Sequence, residues 1–328
     1  MSRPLWHSSE EIAIRLADID VLSVVRDAFV QRHAGMTSLP QESRLYWEAP
    51  DGGSARSIAM HGYLGGDKPR VGIKVINSAP RNIARGTPRA DGLIALFDPL
   101  SARVTDILEA AEISATRTAA VSVLAAQHLA PKDADTLAIL GAGALGAKHL
   151  RLFSRASMGI KRSYIFDVDT ARANSLVRAN TRTDIGVKAA RTARQAVESA
   201  DIVIAVTTAT KPYIPFSWVK RGSLVVSVSL EDLHDDLFIN ADAIYVDDLD
   251  TVLADKRRRL GVLCREGVIA TSPSQRGTPK AAVTGQLDTL FAAAVPGREH
   301  DRQIIIVNPF GLAISDVALA TAVACHDT

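Results

Sequence analysis

Cysteine is nearly missing. Cys264 and Cys325 are the only two in 328 residues, so there is no disulfide framework and no CxxC motif. Net charge is nearly missing too. The 38 Lys and Arg residues offset 36 Asp and Glu, which leaves no basic footprint for nucleic acid. No apolar run approaches the ~18 residues that span a bilayer. The opening stretch "MSRPLWHSSEEIAIRL" has no apolar signal-peptide core. These absences lead us to expect a cytoplasmic protein with no metal site, no membrane and no nucleic-acid partner.

What is present is enough apolar material for a large core. Hydrophobic residues make up 47% of the chain and charged residues 23%. The length suits one large domain or two ordinary ones. Residues 1–35 read as helical, with Ser8 or Ser9 as cap, Glu10 and Glu11 in the first turn, and apolar residues from Ile12 to Phe29 at roughly helical spacing. Between 36 and 110, "SIAMHGYLG", "RVGIKVINS" and "DGLIALFDP" read as strands between turns. "AEISATRTAAVSVLAAQHLA" (111–130) is an Ala-rich helix, and "PKDAD" (131–135) breaks it. Strand candidates then alternate with helix-length segments, at 136–140, 162–167, 201–206, 223–230 and 242–247. That alternation implies a parallel sheet covered on both faces. The final "QIIIVNPFGLAISDVALATAVA" reads as a strand, a turn and an apolar helix that returns to the first domain.

The motif with the clearest chemistry is "TLAILGAGALGAKHL" (136–150), a GxGxxG turn between a strand and a helix. Gly141 permits the tight turn, Gly143 lets backbone approach a pyrophosphate, and Gly146 lets helix and strand pack closely. Ala144 and Leu145 complete a helix N-terminus whose N–H groups suit phosphates. Asp167 ends the next strand, about 20 residues past the last glycine, where a carboxylate accepts from ribose hydroxyls and repels a 2′-phosphate. The expected cofactor is therefore NAD.

Other polar residues stand at strand ends, where ligands of doubly wound sheets lie. Thr207, Thr208 and Thr210 follow one strand. Ser227, Ser229, Glu231 and Asp232 follow another, and one of the acids is a potential general acid or base. In the first domain Lys74 interrupts an apolar strand, an expensive place for a lysine without a partner or an anion. Arg117 sits among alanines that leave its guanidinium room to grip a carboxylate. Arg44, in a strand-like stretch after Pro40, is a further carboxylate ligand candidate.

These residues resemble the ornithine cyclodeaminase/μ-crystallin family over nearly the whole chain. The resemblance rests on "VGIKVINSAPRNIARGTPRADGLIALFDP", "ISATRTAAVSVLAAQHLA", "LAILGAGALGAKH", "ADIVIAVTTA" and "IIIVNPFGLAISDVALA". It implies a Rossmann-type α/β fold with a doubly wound parallel sheet, plus a mixed α+β substrate and dimerisation domain. The NAD-binding domain would cover 131–308. The substrate domain would cover 1–130 completed by 309–328, and family members pair through it as homodimers. Lys74 and Arg117 would bind a substrate α-carboxylate, Lys74 would also act catalytically by polarising the reacting centre, Arg44 would fall near a further substrate arginine, although the family's Pro-x-Arg is here "PQESR", and Asp316 would lie near the nicotinamide. Where ornithine cyclodeaminases carry a "GGD"-like turn, this chain has "SLEDL". With "VPGR" and "VNPFG", that segment is similar to the N-(2-amino-2-carboxyethyl)-L-glutamate dehydrogenase branch, which makes 2,3-diaminopropionate for siderophores and antibiotics. The expected reaction is NAD-dependent oxidation of that amino acid's C–N bond. The alternatives are ornithine or lysine cyclodeamination with catalytic NAD, and non-catalytic ligand binding of the μ-crystallin kind.

Overall fold

The structure is a computed structural model that describes residues 3–156, 158–181, 185–275 and 281–326. It divides into two compact units, 1–118 with 311–328, and 119–310. The division falls inside a helix, whereas the sequence reading puts it in the 131–135 break.

In the first unit, β1 (Leu5–His7) leads to α1 (Ser9–Asp18) and α2 (Val21–His33). Ser8 and Glu11 form a reciprocal capping box on α1, and Asp20 caps α2 by accepting from the Ser23 N–H. The helical stretch expected over 1–35 is thus a short strand and two helices. The break comes at Ile19, which is extended, because Asp20 is a good cap. Ile12, Leu16, Val25 and Phe29 are buried, but Ile14 points to solvent.

The chain continues through β2 (Thr37–Ser38), β3 (Ser43–Glu48), β4 (Ser54–Leu64), β5 (Arg70–Ser78), β6 (Ala90–Phe97) and β7 (Val104–Glu109) into α3 (Ala110–Leu129). The strand order is β1-β7-β6-β5-β4-β2, with β3 also paired to β4. All pairs are antiparallel except β1 with β7. Register puts Met60, Lys74, Ile94 and Leu108 in one row across four strands, so these side chains share a face.

The second unit runs β8 (Thr136–Leu140), α4 (Ala144–Arg155), β9 (Arg162–Phe166), α5 (Thr170–Ala179), β10 (Gly186–Ala189), α6 (Ala193–Ser199), β11 (Ile202–Ala205) and β12 (Leu224–Ser227). It continues with α7 (Asp235–Asn240), β13 (Ala243–Val246), α8 (Leu249–Ala254), α9 (Arg259–Arg265), β14 (Ile269–Ala270), β15 (Ala281–Gln286), α10 (Leu287–Phe291) and β16 (Ile305–Asn308). The sheet order is β10-β9-β8-β11-β12-β16-β13-β15-β14, parallel throughout the described residues. The first five strands follow the doubly wound dinucleotide-binding order, which reverses between β8 and β11. β8, β11, β12, β13 and β16 are buried along their whole length, as a sheet covered on both faces requires.

The last helix, α11 (Ala313–Ala324), belongs to the first unit and packs on β4, β5, β6 and α2. Gly72 lets it lie close: a Cβ there would stand 2.7 Å from the Ala95 carbonyl and 3.3 Å from Val317 Cγ2. Residues 313–320 are all buried, Asp316 among them. A carboxylate in such a helix needs partners. None of the described helices is long and apolar enough to cross a membrane.

Candidate functional site

Asp316 finds one partner on the sheet beneath it, Lys74 of β5, and one on α3, Arg117. Lys74 donates from Nζ to Asp316 Oδ2 at 2.6 Å, and Arg117 donates from Nε to Oδ1 at 3.0 Å. Lys74 is 1% exposed and Asp316 0%. One carboxylate thus faces two buried cations, which leaves one uncompensated positive charge where a ligand anion is favoured. Burial pulls the Lys74 pKa down to about 8; the Arg117 charge adds to this, and Asp316 opposes it. The terminal nitrogens of Arg117 lie against Gly311, whose φ of +100° and lack of a Cβ make room for the guanidinium.

Arg44 stands in line with Ile58 and Ile76, on the face of the sheet that carries Lys74. It forms an ion pair with Glu42, an acid that the sequence reading passed over. Its one sequence signal is spacing: residues two apart on a strand share a face.

In the second unit the glycine turn is built as its sequence requires. Gly141 has φ +107°, and a Cβ on it would stand 2.7 Å from the Val206 carbonyl. A Cβ on Gly146 would collide with the Gly141 carbonyl. Gly143, the N-cap of α4, makes no side-chain cap, and a Cβ on it would meet open space. Approach to the first-turn N–H groups of Ala144, Leu145 and Gly146 is therefore clear. Asp167 accepts from the Ala142 N–H at 2.7 Å and the Asp169 N–H at 2.9 Å, so its carboxylate is fixed beside the turn. An open helix N-terminus with a carboxylate held at the next strand end fits a dinucleotide.

The two acids after β12 have different surroundings. Asp232 is fully buried and accepts from the hydroxyls of Thr207 and Ser229, one on each oxygen. Burial raises its pKa to about 6, against the lowering effect of the Thr207 and Tyr213 hydroxyls. Ser229 also accepts from the Thr207 N–H at 3.2 Å, so Asp232 ties the ends of β11 and β12 together. The Tyr213 hydroxyl lies buried beside Thr207 and Asp232. Nothing in the sequence singled it out. Glu231 is only half-buried; burial and the nearby Asp235 raise its pKa, and Arg259 opposes them. Thr208 and Thr210 are exposed and stand apart from this network.

The ornithine cyclodeaminase/mu-crystallin family model matches residues 4–326. The chain is 35% identical over 268 residues to the N-((2S)-2-amino-2-carboxyethyl)-L-glutamate dehydrogenase of Staphylococcus aureus, covering 81% of this chain and 77% of that protein. The crystal structure of CmnK superposes with a TM-score of 0.89 at 36% identity, covering 98% of this chain and 94% of that one. A dimeric archaeal alanine dehydrogenase with bound NAD superposes at 0.82 with 26% identity, covering 98% and 95%. The chain belongs to the ornithine cyclodeaminase/mu-crystallin family, whose members are dehydrogenases, reductases and cyclodeaminases.

Proposed function

We propose that this protein is an NAD-dependent dehydrogenase that oxidises N-(2-amino-2-carboxyethyl)-L-glutamate to 2-oxoglutarate and L-2,3-diaminopropionate. One observation carries the reading: Asp316 gathers Lys74 and Arg117 into a buried site of net positive charge. Such a site suits a substrate with several carboxylates. The likeness to the staphylococcal dehydrogenase supports this choice of substrate.

The glycine turn and Asp167 would hold NAD, which when bound would supply a hydride acceptor for the glutamate Cα. Lys74 and Arg117 hold that carbon's carboxylate and so fix the C–H bond being broken. The nitrogen loses its proton as the C=N bond forms. Water then adds to the carbon, and the C–N bond breaks to release the diamino acid with its nitrogen. Glu231 retains freedom to act as acid or base for these proton transfers. Asp232, held by two hydroxyls, positions Thr207 and Ser229 beside the cofactor turn.

We further propose a homodimer formed through the face of the first sheet that turns away from α11. Trp6, Leu45, Trp47, Tyr63 and Leu93 are exposed there.

The test is incubation with NAD and a panel of amino acids and N-linked diamino acids, with products identified by mass spectrometry. NADH should appear one for one with 2-oxoglutarate. Proline and ammonia formed from ornithine without NADH would assign a cyclodeaminase instead. Ligand binding with no turnover of any kind would assign a binding protein.

A further inference from the structure

The acid beside the cations is hard to explain as part of a pure carboxylate site. Glu42 precedes Ser43, which pairs with Ala59, itself paired with Val75. Continuing that antiparallel register by one residue brings Glu42 level with Met60 and Lys74. Its ion pair with Arg44, two residues on, places the carboxylate on the same face. Its side chain is only 11% exposed. Its charge reaches Lys74 and favours the protonated ammonium.

Arg44 approaches Oε1 of Glu42 through both Nε and Nη2. A carboxylate with so little exposure is costly to desolvate, and a ligand N–H offsets that cost. A negative charge next to Lys74 also weakens any bound carboxylate, so it suits a ligand that brings a cation as well as anions.

We propose that Glu42 is a specificity-determining residue that accepts a hydrogen bond from the substrate's second, non-reacting ammonium group. This rests on the reaction proposed above. In that substrate the group is the primary amine of the 2-amino-2-carboxyethyl arm. The carboxylate beside it would then meet Arg44, held in place by the same Glu42. Three cations and two carboxylates thus form an alternating set that matches a zwitterionic polyacid better than a simple dicarboxylate.

The test compares the full substrate with N-(2-carboxyethyl)-L-glutamate, which lacks only that amine. The measured quantity is the ratio of kcat/KM for the two compounds. A site built to bind the amine should favour the full substrate by ~100-fold or more. Glu42→Gln should lower that ratio at least ~10-fold, and Glu42→Asp should restore part of it. NADH binding, followed by fluorescence, shows that each variant is folded. An unchanged ratio in Glu42→Gln overturns the role of Glu42 and leaves the reaction standing. Turnover of neither compound by the unmodified protein overturns the reaction. The same ratio is then read from dissociation constants by calorimetry. Loss of discrimination in Glu42→Gln still supports the role of Glu42, and no discrimination or no binding by the unmodified protein overturns it.

Discussion

Lys74 carries a charge that the fold itself disfavours. Its pKa drops from 10.5 to about 8 through burial and Arg117, so folding disfavours the ammonium relative to the unfolded chain, although it still predominates below about pH 8. The sign follows: this group's contribution to stability is present above about pH 10.5 and lost as pH falls through about 8. A substrate carboxylate reverses the preference by pairing with the ammonium. We therefore expect kcat/KM to fall as pH rises through about 8, and the corresponding limb of kcat to lie at higher pH, where bound substrate holds the proton. Lys74→Arg should abolish that limb at reduced activity, because a guanidinium does not deprotonate in this range. Lys74→Ala or Arg117→Ala should lose ~2–5 kcal/mol of kcat/KM by removing one partner of a desolvated charge pair. NADH affinity should hold, since both residues belong to the first unit. Rates that climb through pH 8 would show that the neutral amine acts as a base. These two cations were legible in the sequence because each stands in an apolar setting that charges avoid. Glu42 was not legible, because only the register of β3 on β4 brings it level with Lys74.

Among the elements, the turn from β8 into α4 does two jobs with one carboxylate. Asp167 receives the Ala142 N–H, which fixes the turn, and in the proposed role it also receives the ribose hydroxyls. Truncation to alanine would confound the two. Asp167→Asn keeps an oxygen for Ala142 and removes the charge that repels a 2′-phosphate. Measured with both cofactors, the unmodified protein should prefer NAD, and Asp167→Asn should narrow the gap to NADP by ~10-fold or more, the effect of ~1.4 kcal/mol. Equal use of NADP by the unmodified protein would rule out this role for Asp167. The strands of this unit were legible because β8, β11, β12 and β13 are short apolar runs ended by turn residues. β10 and β14 at the edges, and β15 beside β14, were not. β14 has only two residues, β10 carries Gly and Lys and β15 Thr and Gly, and all three are recognised only by their pairing. The two acids in "SLEDL" looked equivalent in sequence. Only the side-chain contacts show that Asp232 is held by Thr207 and Ser229 while Glu231 is not.

At the scale of the whole molecule, the chain's last segment is what local patterns could not place. β16 follows all the other strands of its sheet in sequence, yet it inserts between β12 and β13 before α11 returns to the first unit. The strand and the helix were both readable. The insertion depends on long-range pairing, which no local period encodes. The same holds for the outer face of the first sheet. Register places Trp6 in line with Ile107, Ala95 and Ile73, and Leu93 in line with Val75 and Ala59, all on the side away from Lys74. Leu45 and Trp47 extend this apolar surface along β3, where they are 63% and 43% exposed. A contiguous exposed surface of this kind marks an interface, and β-sheet faces pair through such side chains. We expect a dimer at micromolar concentration by analytical ultracentrifugation. Leu45→Lys with Trp47→Glu should shift it to monomer. Both side chains are largely solvent-exposed in the single chain, so the substitutions cost the fold little, and unchanged NADH binding would confirm that. A monomeric unmodified protein, or a double variant that still sediments as a dimer, would show that this face is not the interface.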